Sequence, residues 1–418
     1  MALVYEMYPQ GVGIGVIGAQ KPNTAAGDLA SVRGSIAHRT DKDGVLVEEP
    51  INKARADYSK GSCPSLLTEP QEQTTIGHSE NITAASWSVS GCTRSVNTSI
   101  SPKGDLTMDT LFENTSTGQH SLQQGEKTIV ADTQQILSVY FRKVDGSAQR
   151  YLRVQLLDST FTDGGRALFD IETGEVAAAA VAPGTGTNVS SGVNYEGNGI
   201  YRAWLSVNLN NGHTTARPYF YLQENGTTYV AGYTGDGVSG VQLWGANLGG
   251  LGVLSSYIEN NGGGTVVRAA DTGIKTGDIS SYINSEEGVI EINCAALFKE
   301  GRVSRISLCD DSFDNRISLS FDTTLNKVTV FFQKGGSTMV GAFVSTISDV
   351  TDFNTFKIGW KNGQQGLKVN GVEVDSDTVA DTFAASTLTH FKLSSGGDTA
   401  DFAGYTNYIK IYNSFTNY

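Results

Sequence analysis

Short stretches of alternating apolar and polar residues, broken by glycine-centred turns, leave this chain few folds to choose from. Ile136, Leu137, Val139, Tyr140 and Phe141 form a run that is apolar on both faces, which predicts a central strand. In Leu152-Arg153-Val154-Gln155-Leu156 the apolar residues share one face, the mark of a half-exposed strand. Tyr201, Ala203, Leu205 and Val207 repeat that phase, and Ile317, Leu319 and Phe321, then Phe356, Ile358 and Trp360, do so further on. Asp43-Gly44, Thr173-Gly174, Asp236-Gly237 and Asn370-Gly371 supply the positive φ of tight turns. Tyr219-Phe220-Tyr221-Leu222 and Thr228-Tyr229-Val230 flank Asn225-Gly226 and read as a hairpin. The run Ala177 to Ala180 is too short to nucleate a helix and reads as a strand.

Composition agrees with that pattern. Charged residues are 17% and glycines number 49 of 418, a mix that favours strands and turns, while 39% hydrophobic residues suffice to bury a core. The fold class expected is all-β: an N-terminal extended arm, then two β-sandwich domains of jelly-roll and lectin-like type. A net charge of −13 repels a phosphate backbone and anionic membranes, so neither nucleic acid nor membrane is an expected partner. No run of about 18 apolar residues predicts a membrane span. The opening MALVYEMYPQ lacks the basic and apolar regions of a signal peptide, which points to cytoplasmic synthesis. Cys63, Cys92, Cys294 and Cys309 lie far apart and read as free thiols.

The order along the chain predicts an arm over 1–27, a short β module over 28–78, a jelly roll over 79–258, a glycine-rich linker over 259–278 and a second sandwich over 279–418. The stretch from Gly240 to Thr272 is the junction. Val241, Leu243 and Trp244 close the first sandwich, and Asn261-Gly262-Gly263-Gly264 reads as a flexible joint.

Several blocks resemble tailed-phage fibre and head-spike proteins. Arg33, Ser35, Ala37 and Arg39, ahead of Asp43-Gly44 and Val45-Leu46-Val47-Glu48, are similar to that family's R-x-S-x-A-x-R stretch and D-G-L-I-E turn. Ala54 to Gln71 resembles its R-x-D-Y and S-L-L-x-E-P-Q elements, and Ser79-Glu80 with Trp87 its S-E-x-F…W opening. Asn198-Gly199-Ile200-Tyr201-Arg202 is similar to N-G-W-Y-R, with Ile for Trp. Tyr233 to Gly237, Leu243 to Ala246, and Tyr257-Ile258 to Asp271 resemble Y-x-G-D-G, I-W-G-A and S-Y-I…R-A-A-D. The resemblance implies a carbohydrate-binding-module-like jelly roll and a C-terminal concanavalin A/laminin-G-like domain. It implies a virion protein assembled in a host cytoplasm, attached to other virion proteins through residues 1–27, trimeric, and adsorbing to a host-surface glycan. A head-decoration protein without adhesion and a polysaccharide-degrading tailspike are the alternatives.

The sequence predicts no enzyme. Glu286, Glu287 and Glu291 are the nearest carboxylates in the terminal domain, but two read as turn residues and the third as a solvent-facing strand residue. Glycan binding needs exposed aromatic faces with amide or carboxylate partners. The candidates are Trp204, which alternates opposite Ala203 and Leu205, and the crowded loop Asp310, Asp311, Asp314 and Asn315. That loop also suits a structural calcium, with a polar turn the plainer reading; no other cofactor is predicted. Trp360 and Trp244 are expected in the core.

Overall fold

The computed structural model describes residues 2–418. Among them nearly all regular structure is strand, with one 3-10 turn at Phe415–Asn417. The chain divides into two compact units, one formed by 1–42, 48–71 and 269–418, the other by 43–47 and 72–268.

The second unit is a two-sheet sandwich. One sheet runs Trp87–Ser90, His120–Gln124, Thr215–Gln223, Tyr151–Asp158, Gly164–Asp170, Val176–Val181, and Lys127–Thr128 also pairs with Thr215–Gln223. The other runs Cys92–Ser99, Met108–Glu113, Gly240–Gly249, Gln134–Lys143, Ile200–Asn208, Thr187–Tyr195. The two-residue period sends Leu137, Val139 and Phe141 from one sheet, and Leu152, Val154 and Leu156 from the other, into a shared core. Trp244 is fully buried in a satellite cluster, edge-on to Tyr140 at 5.3 Å and tilted on Tyr257 at 4.7 Å. The strand read at Ala177 to Ala180 is present, whereas Thr228 to Val230 is a loop. There Asn225 Oδ1 caps the N–H groups of Thr227 and Thr228, and Tyr229 Oη donates to the carbonyls of Arg166 and Ala179, so the segment wraps over the sheet.

The first unit is also a sandwich. Its larger sheet runs Val372–Asp377, Gln364–Val369, Asn354–Lys361, Glu287–Ala296, Gly404–Tyr412, Ser65–Thr68, Arg55–Asp57, and Leu3–Met7 also pairs with Gly404–Tyr412. The smaller runs Ser337–Thr346, Lys327–Lys334, Arg316–Phe321, Ser304–Cys309, His390–Lys392. Trp360 lies in its core, with Nε1 donating to the Ser285 carbonyl at 3.0 Å.

Three expected boundaries are corrected. Residues 1–27 are not a separate arm. Leu3–Met7 adds a strand to the C-terminal sheet, and Tyr5, Met7 and Ile17 are fully buried in its core. The stretch 28–78 is not a separate module, because Arg55–Asp57 and Ser65–Thr68 extend the same sheet. The linker 259–278 is not a loose joint. Asn260 ties the glycines through Nδ2 to the Gly264 carbonyl at 2.6 Å and Oδ1 from Gly262 N–H at 3.1 Å. Beyond Ala269, Ile274 and Ile279 are buried in the terminal core.

Arg33, the Ala54 to Gln71 block and Asp271 meet in that first unit. Arg55 is fully buried, with Nη1 on Glu69 at 2.5 Å and Nη2 on Asp271. Arg33 reaches Asp271 at 3.1 Å and donates to the carbonyls of Ser35, Lys53 and Pro50. Burial disfavours the Arg55 charge, but the Asp271 and Glu69 carboxylates outweigh it and raise its pKa.

Candidate functional site

With Leu152, Val154 and Leu156 turned inward, Arg153, Gln155 and Leu157 must stand on the outer face of their sheet. Register builds the rest. Tyr221 lies opposite Arg153, and Gln123, Tyr219, Gln155 and Arg166 form one row across four strands. Tyr219 and Tyr221 lie side by side, nearly parallel, at 5.6 Å and 17°. The Arg153 guanidinium sits 3.6 Å over the Tyr221 ring, and that of Arg166 sits 4.3 Å over Tyr229. Val230, whose carbonyl accepts from Gln223 Nε2 at 2.8 Å, holds the covering loop down.

These residues, with Gln119, Phe161 and Ala231, line a groove of about 470 Å³. Among the described residues its lining holds two guanidinium groups and no carboxylate or imidazole. Neither arginine is paired with a carboxylate, and Arg153 Nε, Arg166 Nε and Gln155 Oε1 have no hydrogen-bond partner. Burial pulls Arg153 below the usual arginine range, with Tyr221 opposing and the Arg166 charge adding to the shift. Burial likewise raises Tyr219, Tyr221 and Tyr229. In a chain of net charge −13 this is a local positive basin. It is equipped to hold a planar anion in a guanidinium fork beside an aromatic face.

The predicted site residues are placed elsewhere. Trp204 is half-buried on the other sheet, its ring against Gly192, where a Cβ would come within 2.5 Å. Asp310, Asp311, Asp314 and Asn315 form a loop of the other unit. Asp310 accepts from Ser312 N–H at 3.0 Å and from Asn315 Nδ2 at 2.7 Å. Asp311 faces Lys392 Nζ at 2.6 Å and Lys275 Nζ at 3.0 Å, which with the burial they overcome bring its carboxyl down to about 2. Asp314 is exposed, and its N–H donates to Ser312 Oγ. Two ammonium groups on Asp311 oppose a second cation, so this donor set does not suit calcium. Of the terminal glutamates, Glu287 pairs with Lys361 at 3.5 Å and Glu291 with Lys357 at 3.2 Å, while the Glu286 N–H donates to Asn284 Oδ1 at 3.0 Å in a turn.

Arg153, Arg166, Tyr219 and Tyr221 are not legible as a site in the sequence because strand register alone brings them together. The available signal was an Arg-x-Gln and a Tyr-x-Tyr in outward phase on apolar-backed strands.

No family model and no curated protein matches the sequence. Solved structures similar in fold include the CBM40 of Ruminococcus gnavus IT-sialidase bound to α2,3-sialyllactose, at 15% identity and TM-score 0.27 over 33% of this chain and 84% of that one. The NanB sialidase of Streptococcus pneumoniae matches at 17% and 0.27, over 33% of this chain and only 24% of its own. Mouse laminin α1 domains LG4-5 match at 11% and 0.22, over 72% and 87%. The neighbours are thus carbohydrate-binding modules, sialidases and laminin-G domains. The two-sheet architecture itself rests on the strand pairings given above.

Proposed function

We propose that the chain is a glycan-binding protein whose 72–268 sandwich binds an acidic sugar without cleaving it. The carrying observation is the pair of arginines without a carboxylate partner, Arg153 and Arg166, each with an unbonded Nε, set beside Tyr219, Tyr221 and Tyr229 in a groove without carboxylates. A sugar carboxylate takes the guanidinium fork, and the ring's apolar face lies on tyrosine. Most glycoside hydrolysis uses two carboxylates at the bond, and sialidases use a tyrosine nucleophile instead; this lining offers tyrosines but no carboxylate to act as acid or base. Calorimetry with sialyllactose and lactose tests the reading. Sialyllactose binds and lactose does not, and Arg153→Ala or Arg166→Ala weakens binding by about ten- to a hundredfold. Equal affinity for both sugars would refute it, and release of free sialic acid would replace binding with catalysis.

The motif blocks further support a place on a phage particle as a fibre or spike protein, trimeric, held by other virion proteins and adsorbing to the host through this groove. A trimer would multiply a weak single-site affinity through avidity. A partner at the N-terminal end would meet a folded strand, since Leu3–Met7 is already paired. Immunogold labelling of intact particles tests the location, and unlabelled particles would sink it.

A further inference from the structure

The groove ends in a feature that arginine recognition of one acidic sugar does not require. Phe161 is exposed at 52% and holds φ at +62°, in the left-handed region that a bulky side chain avoids. Its loop is fixed from both sides. The Asp158 carboxylate accepts the N–H groups of Thr160, Thr162 and Asp163. The Asp163 carboxylate accepts Thr185 N–H at 2.7 Å, His213 Nε2 at 3.0 Å and Asn211 Nδ2 at 3.2 Å. These bonds lower the Asp163 carboxyl to about 2. The outcome is an apolar ring held out over the groove, 6.4 Å from Tyr219 and 5.1 Å below the Arg217 guanidinium. Arg217 is itself engaged by Glu126 at 2.8 Å.

Position along the strand gives the ring its role. Arg153, Gln155 and Leu157 follow one another on the outer face, and Phe161 comes after Leu157. At about 3.3 Å per residue, Leu157 lies roughly 13 Å from Arg153, more than one pyranose ring reaches. Val230 lies at the Arg153 end, its carbonyl accepting from Arg153 Nη1 at 3.5 Å, and Phe161 joins the lining beyond Leu157.

We propose that Phe161 forms a second subsite, stacking on the apolar face of a neutral sugar joined to the acidic one, so that the groove reads an oligosaccharide. This rests on the acidic-glycan reading above. A loop held in an unfavourable backbone conformation by two carboxylates is the kind of strain found at ligand clamps. Glycine would adopt the same φ freely, so Phe161→Gly removes the ring while favouring the loop.

The test measures affinity for the methyl glycoside of N-acetylneuraminic acid and for 3′-sialyllactose, in the wild type, Phe161→Gly and Phe161→Tyr. Wild type and Phe161→Tyr prefer sialyllactose by about tenfold. Phe161→Gly loses more affinity for sialyllactose than for the monosaccharide, so the preference disappears, with no fall in melting temperature. A preference retained in Phe161→Gly overturns the subsite alone. A wild type that binds neither sugar overturns the groove reading and the subsite with it.

Discussion

Asp271 joins two buried arginines, so Asp271→Asn is a severe test of the packing inferred for the first unit. Asp271 accepts from Arg33 Nη1, Arg55 Nη2 and the Glu69 N–H, and both guanidinium groups are fully buried. The amide keeps the shape but removes the charge, and it can turn an N–H donor toward donors. Breaking a buried ion pair from one side costs about 3–5 kcal/mol, because the remaining charge stays desolvated. With a urea dependence of roughly 2–3 kcal/mol per molar, the midpoint falls by roughly 1–2.5 M. Trp360 is the one tryptophan of the first unit, with Trp87, Trp204 and Trp244 in the other. Labelling with 5-fluorotryptophan therefore lets ¹⁹F NMR follow each unit during urea unfolding, with Trp360→Phe assigning the resonance. The Trp360 midpoint should fall while that of Trp244 holds. A fall smaller than about 0.3 M would show that water reaches the cluster or that the arginines find other acceptors, and would refute the argument.

Three further outcomes are expected. Arg166→Lys keeps the charge but loses the fork, so binding of an acidic sugar weakens by about tenfold, and wild-type affinity falls as salt rises from about 0.05 to 0.5 M; calorimetry that finds neither effect excludes a guanidinium–carboxylate contact. Burial and the Asp398 charge push the Asp401 carboxyl up to about 6, with Arg302 opposing. The folded chain therefore holds that proton more tightly than the unfolded one, and the stability this group contributes is full below about pH 4 and lost as pH rises through about 6. Allowing for its partial exposure, Asp401→Asn should recover ~1–2 kcal/mol at pH 7.5 and none at pH 4, and equal midpoint shifts at both pH values would contradict this. A Cβ on Gly359 would stand 2.7 Å from the Phe415 ring and 2.8 Å from that of Tyr418, so Gly359→Ala should displace the Phe415–Asn417 turn and destabilise the first unit by about 1–3 kcal/mol in urea unfolding, whereas an unchanged midpoint would show the turn does not need that contact.

The sequence by itself determined many of the strands and turns and which of their faces are apolar. Alternation in Leu152 to Leu156 put Arg153 outside and Val154 inside, as found, because the two-residue period is a local property of the backbone. Asn370-Gly371 marked its hairpin, and both residues carry positive φ. Trp244 and Trp360 read as core from phase and resemblance, and both are fully buried. The resemblance blocks marked Arg33, Arg55, Glu69 and Asp271 without saying that they form one ion cluster. Only the tertiary structure decided that Leu3–Met7 pairs with Gly404–Tyr412, since strand partners are chosen by long-range packing that leaves no local signature. Only register placed Arg166 beside Gln155 and Tyr219, and Tyr221 beside Arg153, across dozens of residues of chain. The tyrosine loop that covers them was read as a strand because its side-chain pattern fits one, while Tyr229 binding two carbonyls made it a wall of the groove. Local pattern says which way a side chain points; which side chains then share a cavity depends on pairings the pattern does not contain.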